Sequence, residues 1–159
     1  MSEEHNMKKA KQVYESFLSM LDSKGWRYDK DDEDLTITTG VKGDDLPIDL
    51  FISIRPRQEI VHLRSMFPFK VPQEKRVDCA IAVAVANYGL CDGSFDYDIT
   101  DGEISFRLTS SYRESILGSD LFEYMLMVSA GTVDDYNDRL YLLAEGKMTL
   151  QKFIELEPR

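Results

Sequence analysis

The stretch NYGLCDGSFDYDITDGEISFR, residues 87–107, contains the features that decide the fold. A helical pattern ends at its glycine, and two runs of alternating apolar and polar residues then flank Asp101-Gly102. The Asp-Gly dipeptide readily supplies the two positive-φ positions of a type I′ turn. The sequence therefore predicts a tight β-hairpin centred on Asp101 and Gly102.

The alternation on either side of this turn predicts a register. The apolar pairs on one face are Ile99 with Ile104, Tyr97 with Phe106, and Phe95 with Leu108. The other face receives Asp96 opposite Arg107, which predicts an outward ion pair. One face of the hairpin is therefore expected to lie in the core and the other in water.

Size and charge narrow the class of protein. The chain has 159 residues and a formal net charge of -10. This length suits one domain spanning residues 1–159, with residues 1–6 expected to be frayed. Acidity argues against nucleic acid, which needs a basic surface stripe, and no apolar run approaches the roughly 20 residues of a membrane span. No signal-peptide pattern starts the chain and no CxxC motif occurs, so we expect a cytoplasmic protein.

Apolar periodicity predicts the remaining elements. Helices are expected at residues 7–24, 72–88, 119–144 and 149–154, with Gly131 kinking or dividing the third. Besides the hairpin, strands are expected at residues 26–29, 35–39, 48–54 and 60–67, the last ending at Pro68. The order is α-β-β-β-β-α-β-β-α-α. It predicts an α+β fold in which helices pack on an antiparallel sheet.

The third and fourth strands carry the predicted partner-binding surface. A loop at residues 55–58 would pair Ile54 with Glu59, which places Asp49 opposite Arg64. The outward-facing apolar and basic residues are Phe51, Arg55, Ile60, His62, Arg64 and Met66. Apolar side chains ringed by basic ones suit an extended protein segment with hydrophobic and acidic residues. In the competing interpretation, a helix or a second subunit covers these side chains and makes them core.

Two helices have more apolar surface than one sheet face needs. Residues 80–86, AIAVAVA, are apolar on all sides, and the long helix carries apolar residues off its main stripe. Small residues allow helices to approach closely, so we predict a homodimer. The predicted interface consists of Ala80, Val83, Ala84, Tyr124, Leu126 and Met127.

The sequence predicts no catalytic, metal or cofactor site. The acidic run at residues 29–34 lacks the glycine and the closing glutamate of an EF-hand loop. Strand alternation and the turn explain the spacing of Asp96, Asp98, Asp101 and Glu103 without a metal. His62 has no second ligand at a suitable spacing. We therefore expect a protein that is not an enzyme.

Several motifs resemble those of a known family. They are PFKVP at residues 68–72 before an alanine-rich helix, NYGL at 87–90, GSFDYD at 93–98, and DGEI at 101–104. This pattern resembles the YbjN family, described as bacterial sensory-transduction regulators. The resemblance implies a fold similar to that of type III secretion chaperones, which are small, acidic, cytosolic homodimers that hold an extended effector segment.

Together these observations predict a bacterial, cytoplasmic, protein-binding module that is chaperone-like or regulatory and acts as a homodimer. The first alternative is a regulator that senses a small molecule in a pocket between the sheet and the helices. It would need a cavity of a few hundred cubic ångströms lined by Tyr or Trp with convergent polar groups. The second is an enzyme, which would need a cluster of titratable residues with shifted pKa values in a cleft.

Overall fold

A computed structural model describes residues 3–158. Its helices are α1 (Glu3–Ser23), α2 (Arg76–Gly89), α3 (Ser119–Ala144) and α4 (Leu150–Glu155). Its strands are β1 (Tyr28–Asp31), β2 (Thr36–Lys42), β3 (Pro47–Arg55), β4 (Ile60–Lys70), β5 (Ser94–Asp98) and β6 (Glu103–Ser111). A 3₁₀ turn, Gln73–Lys75, precedes α2. The predicted order of elements is confirmed. Residues 3–6 are helical, contrary to the expected frayed start, and residues 1–2 lie outside the described part.

The six strands form one antiparallel sheet in the order β1-β2-β3-β4-β6-β5. Helices α1, α2 and α3 contact this sheet. The side chains that face them, such as Leu50, Ile52 and Leu63, are fully buried. Alternate residues point to the opposite side, which we call the outer face; it carries Thr38, Asp49, Phe51, Ser53, Arg55, Ile60, His62, Arg64, Met66, Asp96, Ser105 and Arg107. The sheet is thus covered by helices on one side.

The β5–β6 hairpin forms, but its predicted register is wrong by two residues. Phe95 lies opposite Phe106, so Ile99 falls in the loop and not in the ladder. The turn is not type I′, because Gly102 has a φ of 83° while Asp101 has no positive φ. The Thr100 N–H donates to the Asp98 side chain at 2.8 Å. The Gly102 N–H donates to the Asp98 carbonyl at 2.7 Å, which closes a wider, four-residue loop.

The register of the β3–β4 hairpin is also shifted by two residues, in the opposite direction. Phe51 lies opposite Arg64, and Ile52 lies opposite Leu63, so Asp49 does not face Arg64. The predicted pair of Ile54 with Glu59 is also absent, since Glu59 belongs to the turn and has a φ of 54°. A shift of two residues keeps each side chain on its predicted face, because side chains alternate with a period of two.

Distant parts of the chain hold Glu59 in this turn. Its carboxylate pairs with Arg113 at 3.2 Å and with Lys9 at 3.5 Å. Its carbonyl accepts the Tyr112 N–H at 2.9 Å. These partners lie on α1 and just after β6, so local sequence does not reveal them. They compensate the strain of a non-glycine residue at positive φ, which costs on the order of 1–3 kcal/mol.

Two predicted breaks do not occur. Strand β4 continues through Pro68 to Lys70, with a register irregularity between Met66 and Lys70 that tolerates the missing proline N–H. Helix α3 continues through Gly131 without interruption. The predicted cap of the last helix is present, since the Lys152 N–H donates to Thr149 Oγ1 at 3.1 Å.

Candidate functional site

The outer face places the six predicted partner-binding residues on the adjacent strands β3 and β4. Phe51 is 43% exposed and Met66 is 39% exposed, while Ile60 is half-buried. Arg55 is exposed and Arg64 is half-buried. No helix within residues 3–158 covers Phe51 or Met66, so the outer face offers apolar surface beside guanidinium groups. The competing interpretation, in which a helix of this chain covers these side chains, does not hold for Phe51 and Met66.

His62 differs from its predicted environment. It lies opposite Ser53 and not Phe51, and it is only 8% exposed. Its Nδ1 atom is buried and has no hydrogen-bond partner within residues 3–158. Burial lowers the pKa of His62 below its ordinary value, and Arg55, Arg107 and Arg64 lower the pKa further. His62 is therefore a neutral, largely buried group at the centre of the outer face and not a surface side chain.

The charges around His62 are unevenly paired. Arg107 forms a two-pronged ion pair with Asp96, in which Nε lies 2.8 Å and Nη2 3.0 Å from the carboxylate oxygens. Arg64 donates to Ser105 Oγ at 3.0 Å and approaches Glu103 at 3.4 Å. Arg107 and Ser105 were not among the predicted binding residues. The alternation of apolar and polar residues in the β5–β6 hairpin already places Arg107 on the outward side. This signal could have identified Arg107 as part of the binding surface.

Helix α2 presents a second apolar surface. Val77, Ile81, Ala84 and Tyr88 are exposed along one side of the helix, and Tyr88 is 96% exposed. We call this set the α2 stripe. With the half-buried Ala80 and Val85 it lines a shallow groove of about 530 Å³. Val77, Ile81 and Tyr88 were not predicted, although their spacing of four, seven and eleven residues marks one helix face.

The predicted dimer residues fall into two groups. Ala80 and Ala84 border the α2 groove, while Tyr124 and Met127 are exposed on α3. The Tyr124 hydroxyl donates to Asp92, just beyond the end of α2, which links the two regions. Val83 and Leu126 are buried inside the chain itself, so their assignment to an interface between chains is wrong. The reason is the rotation of each helix, which turns these two side chains toward the interior of the protein.

The acidic residues of the β5–β6 hairpin have partners within the protein. Asp96 pairs with Arg107, Asp98 accepts from Thr100, and Asp101 pairs with Lys70. Within residues 3–158, no group of three or more His, Cys, Asp or Glu side chains is placed to hold a metal ion. Burial raises the pKa of the Cys79 thiol to about 11, which keeps it protonated and unreactive near neutral pH.

We expect metal to be dispensable for folding. Because the hairpin carboxylates already have protein partners, neither millimolar calcium nor a chelator should change the melting temperature. Differential scanning calorimetry with each addition checks this. A rise of several degrees with calcium or zinc would instead reveal a site that binds the folded state.

One concave pocket bears on the sensing alternative. It lies at the turn between β3 and β4, has a volume of about 480 Å³, and is lined by Glu3, Asn6, Met7, Asp34, Ser53, Ile54, Arg55, Pro56, Arg57 and Gln58. Its size is in the range of small-molecule sites. Its lining residues include neither Tyr nor Trp, so it lacks the aromatic walls that this alternative predicts.

Comparison with known proteins identifies relatives. The model of the YbjN family, described as "Putative bacterial sensory transduction regulator", matches residues 14–142. No curated protein matches the sequence. No helix within residues 3–158 has the length and apolar character required to cross a bilayer.

Solved structures share the fold. The crystal structure of YbjN, "a putative transcription regulator" from E. coli, is 12% identical with a TM-score of 0.62 and covers 84% of this chain and 92% of that chain. The ExsC-ExsE complex contains a chain that is 13% identical, with a TM-score of 0.55 and coverage of 81% and 93%. The HopA1-SchA chaperone-effector complex contains a chain that is 15% identical with a TM-score of 0.54. The match covers 82% of this chain and 97% of that chain. The predicted α+β fold of the type III secretion chaperone kind is confirmed.

Proposed function

Because this chain belongs to the YbjN family, we propose that it is a bacterial, cytoplasmic, protein-binding module that is chaperone-like or regulatory, has no enzymatic activity and acts as a homodimer. The observation that carries the proposal is the outer face, where exposed Phe51 and Met66 lie beside Arg64 and where Arg55 lies on the same face. Two structures with the same fold were solved as complexes, one of them a chaperone with an effector. These complexes support a protein partner for this chain.

The chemistry of the outer face indicates the kind of partner. Apolar side chains on a strand surface bind the apolar residues of an extended segment, and guanidinium groups bind its carboxylates. The chain as a whole has a charge of -10, so a general attraction for acidic partners is absent. Recognition of an acidic segment therefore depends on the local cluster of arginines.

Neither edge of the sheet is readily available to such a segment. The Asn87 side chain donates to the Phe95 carbonyl at 2.9 Å and accepts the Phe95 N–H at 2.7 Å. This amide occupies the outer edge of β5 as a neighbouring strand would. At the other edge, β1 is short and carries Asp29, Lys30 and Asp31, charges that discourage edge pairing. The face of the sheet, more than either edge, is thus the proposed binding surface.

We expect Phe51→Asp to abolish partner binding while the protein remains folded. The side chain is already partly in water, so the stability cost should be roughly 1 kcal/mol or less, whereas a new carboxylate would repel an acidic segment. The measurement is affinity capture from the native host, with partners quantified by mass spectrometry and the fold checked by circular dichroism.

The matched control is Ile154→Asp, which places the same charge at a residue of similar exposure on α4, a helix that contacts α2 and α3. It should retain the partner recovered in fixed ratio by the wild-type protein. A folded Phe51→Asp protein that captures the same partner would reject the outer face. Recovery of a bound metabolite in place of a protein would favour the sensing alternative.

The proposed dimer uses the α2 stripe with Tyr124 and Met127. These side chains form an exposed apolar surface on α2 and α3, and Ala80 and Ala84 allow a second helix to approach closely. An interface of standard size buries about 800 Å² on each partner, which is more area than one helix stripe offers. The contribution of α3 is therefore part of the proposal.

A further inference from the structure

His62 lies among charged groups from β3, β5 and β6 and from its own strand β4. Arg55 faces it from β3, Arg64 from its own strand β4, and Arg107 from β6, while Asp96 on β5 is the acidic group that faces it. The ring is 8% exposed. A buried imidazole beside three guanidinium groups lies in a locally positive environment within an otherwise acidic chain.

The arginines are not fully neutralised. Asp96 neutralises Arg107, and Glu103 approaches Arg64 at 3.4 Å. Arg55 donates from Nε to Ser53 Oγ at 3.3 Å and forms no ion pair within residues 3–158. Arg55 therefore has an unneutralised charge and free donors on the outer face. A charged ligand that completes this cluster is a carboxylate, which accepts hydrogen bonds from guanidinium groups with good geometry.

We propose that Arg55, His62 and Arg64 form a carboxylate-binding site, that an acidic side chain of the bound protein segment occupies it, and that His62 takes up a proton on binding. This inference rests on the proposed function and specifies how the outer face recognises its partner. The neighbouring Phe51 and Met66 favour a segment over a free small acid, because the occupant must also cover apolar surface. An open sheet face encloses a small acid poorly.

The sign of the proton linkage follows from electrostatics. In the free protein, burial and the arginines hold the pKa of His62 below its ordinary value. Protonation would also place an N–H at Nδ1, which has no acceptor within residues 3–158. A bound carboxylate favours the charged imidazolium and raises this pKa. Binding then takes up a proton, so affinity increases as pH falls through the bound-state pKa and levels off below the free-state pKa.

The test uses the full chain and a short fluorescein-labelled peptide of alternating leucine and glutamate. Peptides with glutamine or lysine in place of glutamate are the controls. Fluorescence anisotropy gives the affinity between about pH 6 and about pH 8, where glutamate stays ionised and histidine titrates. Proton NMR of the His62 ring, assigned by comparison with His62→Gln, reports its titration with and without the acidic peptide.

We expect the acidic peptide to bind more tightly as pH falls, and the His62 titration to move to higher pH in the complex. His62→Gln should bind without this pH dependence. Arg55→Gln, at an exposed position, should weaken binding about tenfold while keeping the fold. It provides a second test should His62→Gln be unstable.

The other outcomes overturn specific parts of the proposal. Binding that is independent of pH, or equally pH-dependent in His62→Gln, rejects the role of His62 but leaves the outer face as a binding surface. Displacement of the peptide by an equal concentration of acetate rejects a segment as the occupant. Failure of the acidic peptide to bind, or binding unaffected by Phe51→Asp, counts against the outer face and thus against the proposed function itself.

Discussion

Gly102→Val should destabilise the protein by roughly 3 kcal/mol or more, because it combines backbone strain with a steric clash. Gly102 has a φ of 83°, a conformation that β-branched residues strongly avoid. A Cβ atom at this position would also lie 2.2 Å from the Val71 carbonyl oxygen. Neither the conformation nor the contact relaxes easily, since the Val71 N–H donates to the Gly102 carbonyl at 2.8 Å.

This effect would extend beyond the hairpin. The bond from Val71 ties the β5–β6 loop to the residue that follows β4, so its loss would loosen the hairpin from the sheet. The free energy of unfolding from urea titration, followed by circular dichroism, measures the change. Gly102→Ala should be destabilised as well, because even one added carbon meets the Val71 backbone.

Gly131→Ala is the matched control for the glycine substitution. Gly131 lies inside α3, and a Cβ added there would meet no atom within 4 Å beyond the backbone of its own helix. Alanine there should stabilise the helix by about 0.5–1 kcal/mol. Equal stability of Gly102→Val and the wild-type protein would mean that the loop does not require positive φ at this position.

Ile81→Glu should convert the proposed homodimer into a monomer. Ile81 lies in the middle of the α2 stripe and is 44% exposed, so a charge there would be buried against apolar side chains in a dimer but solvated in a monomer. Burial of an unpaired charge costs several kcal/mol, which is a large fraction of a typical dimerisation energy. Light scattering over a dilution series should show the 18.3 kDa mass of one chain for the variant and twice that mass for the wild-type protein.

Ile99→Glu provides the comparison for this second substitution. Ile99 is 49% exposed in the β5–β6 loop and does not line the α2 groove, so this variant should remain dimeric. Circular dichroism should show that both variants are folded. A wild-type mass that stays at 18.3 kDa at all concentrations would refute the homodimer. A dimeric Ile81→Glu protein would show that the dimer interface lies at another surface.

The local sequence determined the order of elements and the side of the sheet on which each strand residue lies. Both follow from short-range periodicity, which is two residues in a strand and close to 3.6 in a helix. The face assignment of Phe51 and Arg64 therefore survived a register error of two residues. The Thr149 cap was predictable because it is also a local feature: its partner Lys152 is three residues away.

The tertiary structure decided the registers of both hairpins. Asp101-Gly102 alone favoured a two-residue turn, but Asp98 closes a four-residue loop through its own side chain and carbonyl. The Val71 N–H, which is distant along the chain, donates to the Gly102 carbonyl of this loop at 2.8 Å. Glu59 enters the other turn because Lys9 and Arg113 hold its carboxylate. These two partners are distant along the chain, and no local pattern contains them.

Tertiary packing also decided which residues of the candidate surfaces are accessible. Residues 80–86 are apolar on every side, so their periodicity could not show that Val83 faces inward and Ile81 outward. That choice depends on the rotation of α2 against the sheet. His62 is buried on a face that alternation assigns to solvent, and the sheet places Ser53 of β3 and Thr109 of β6 directly opposite it. Periodicity specifies the direction of a side chain, but the neighbours that cover it are brought there by strands distant in sequence.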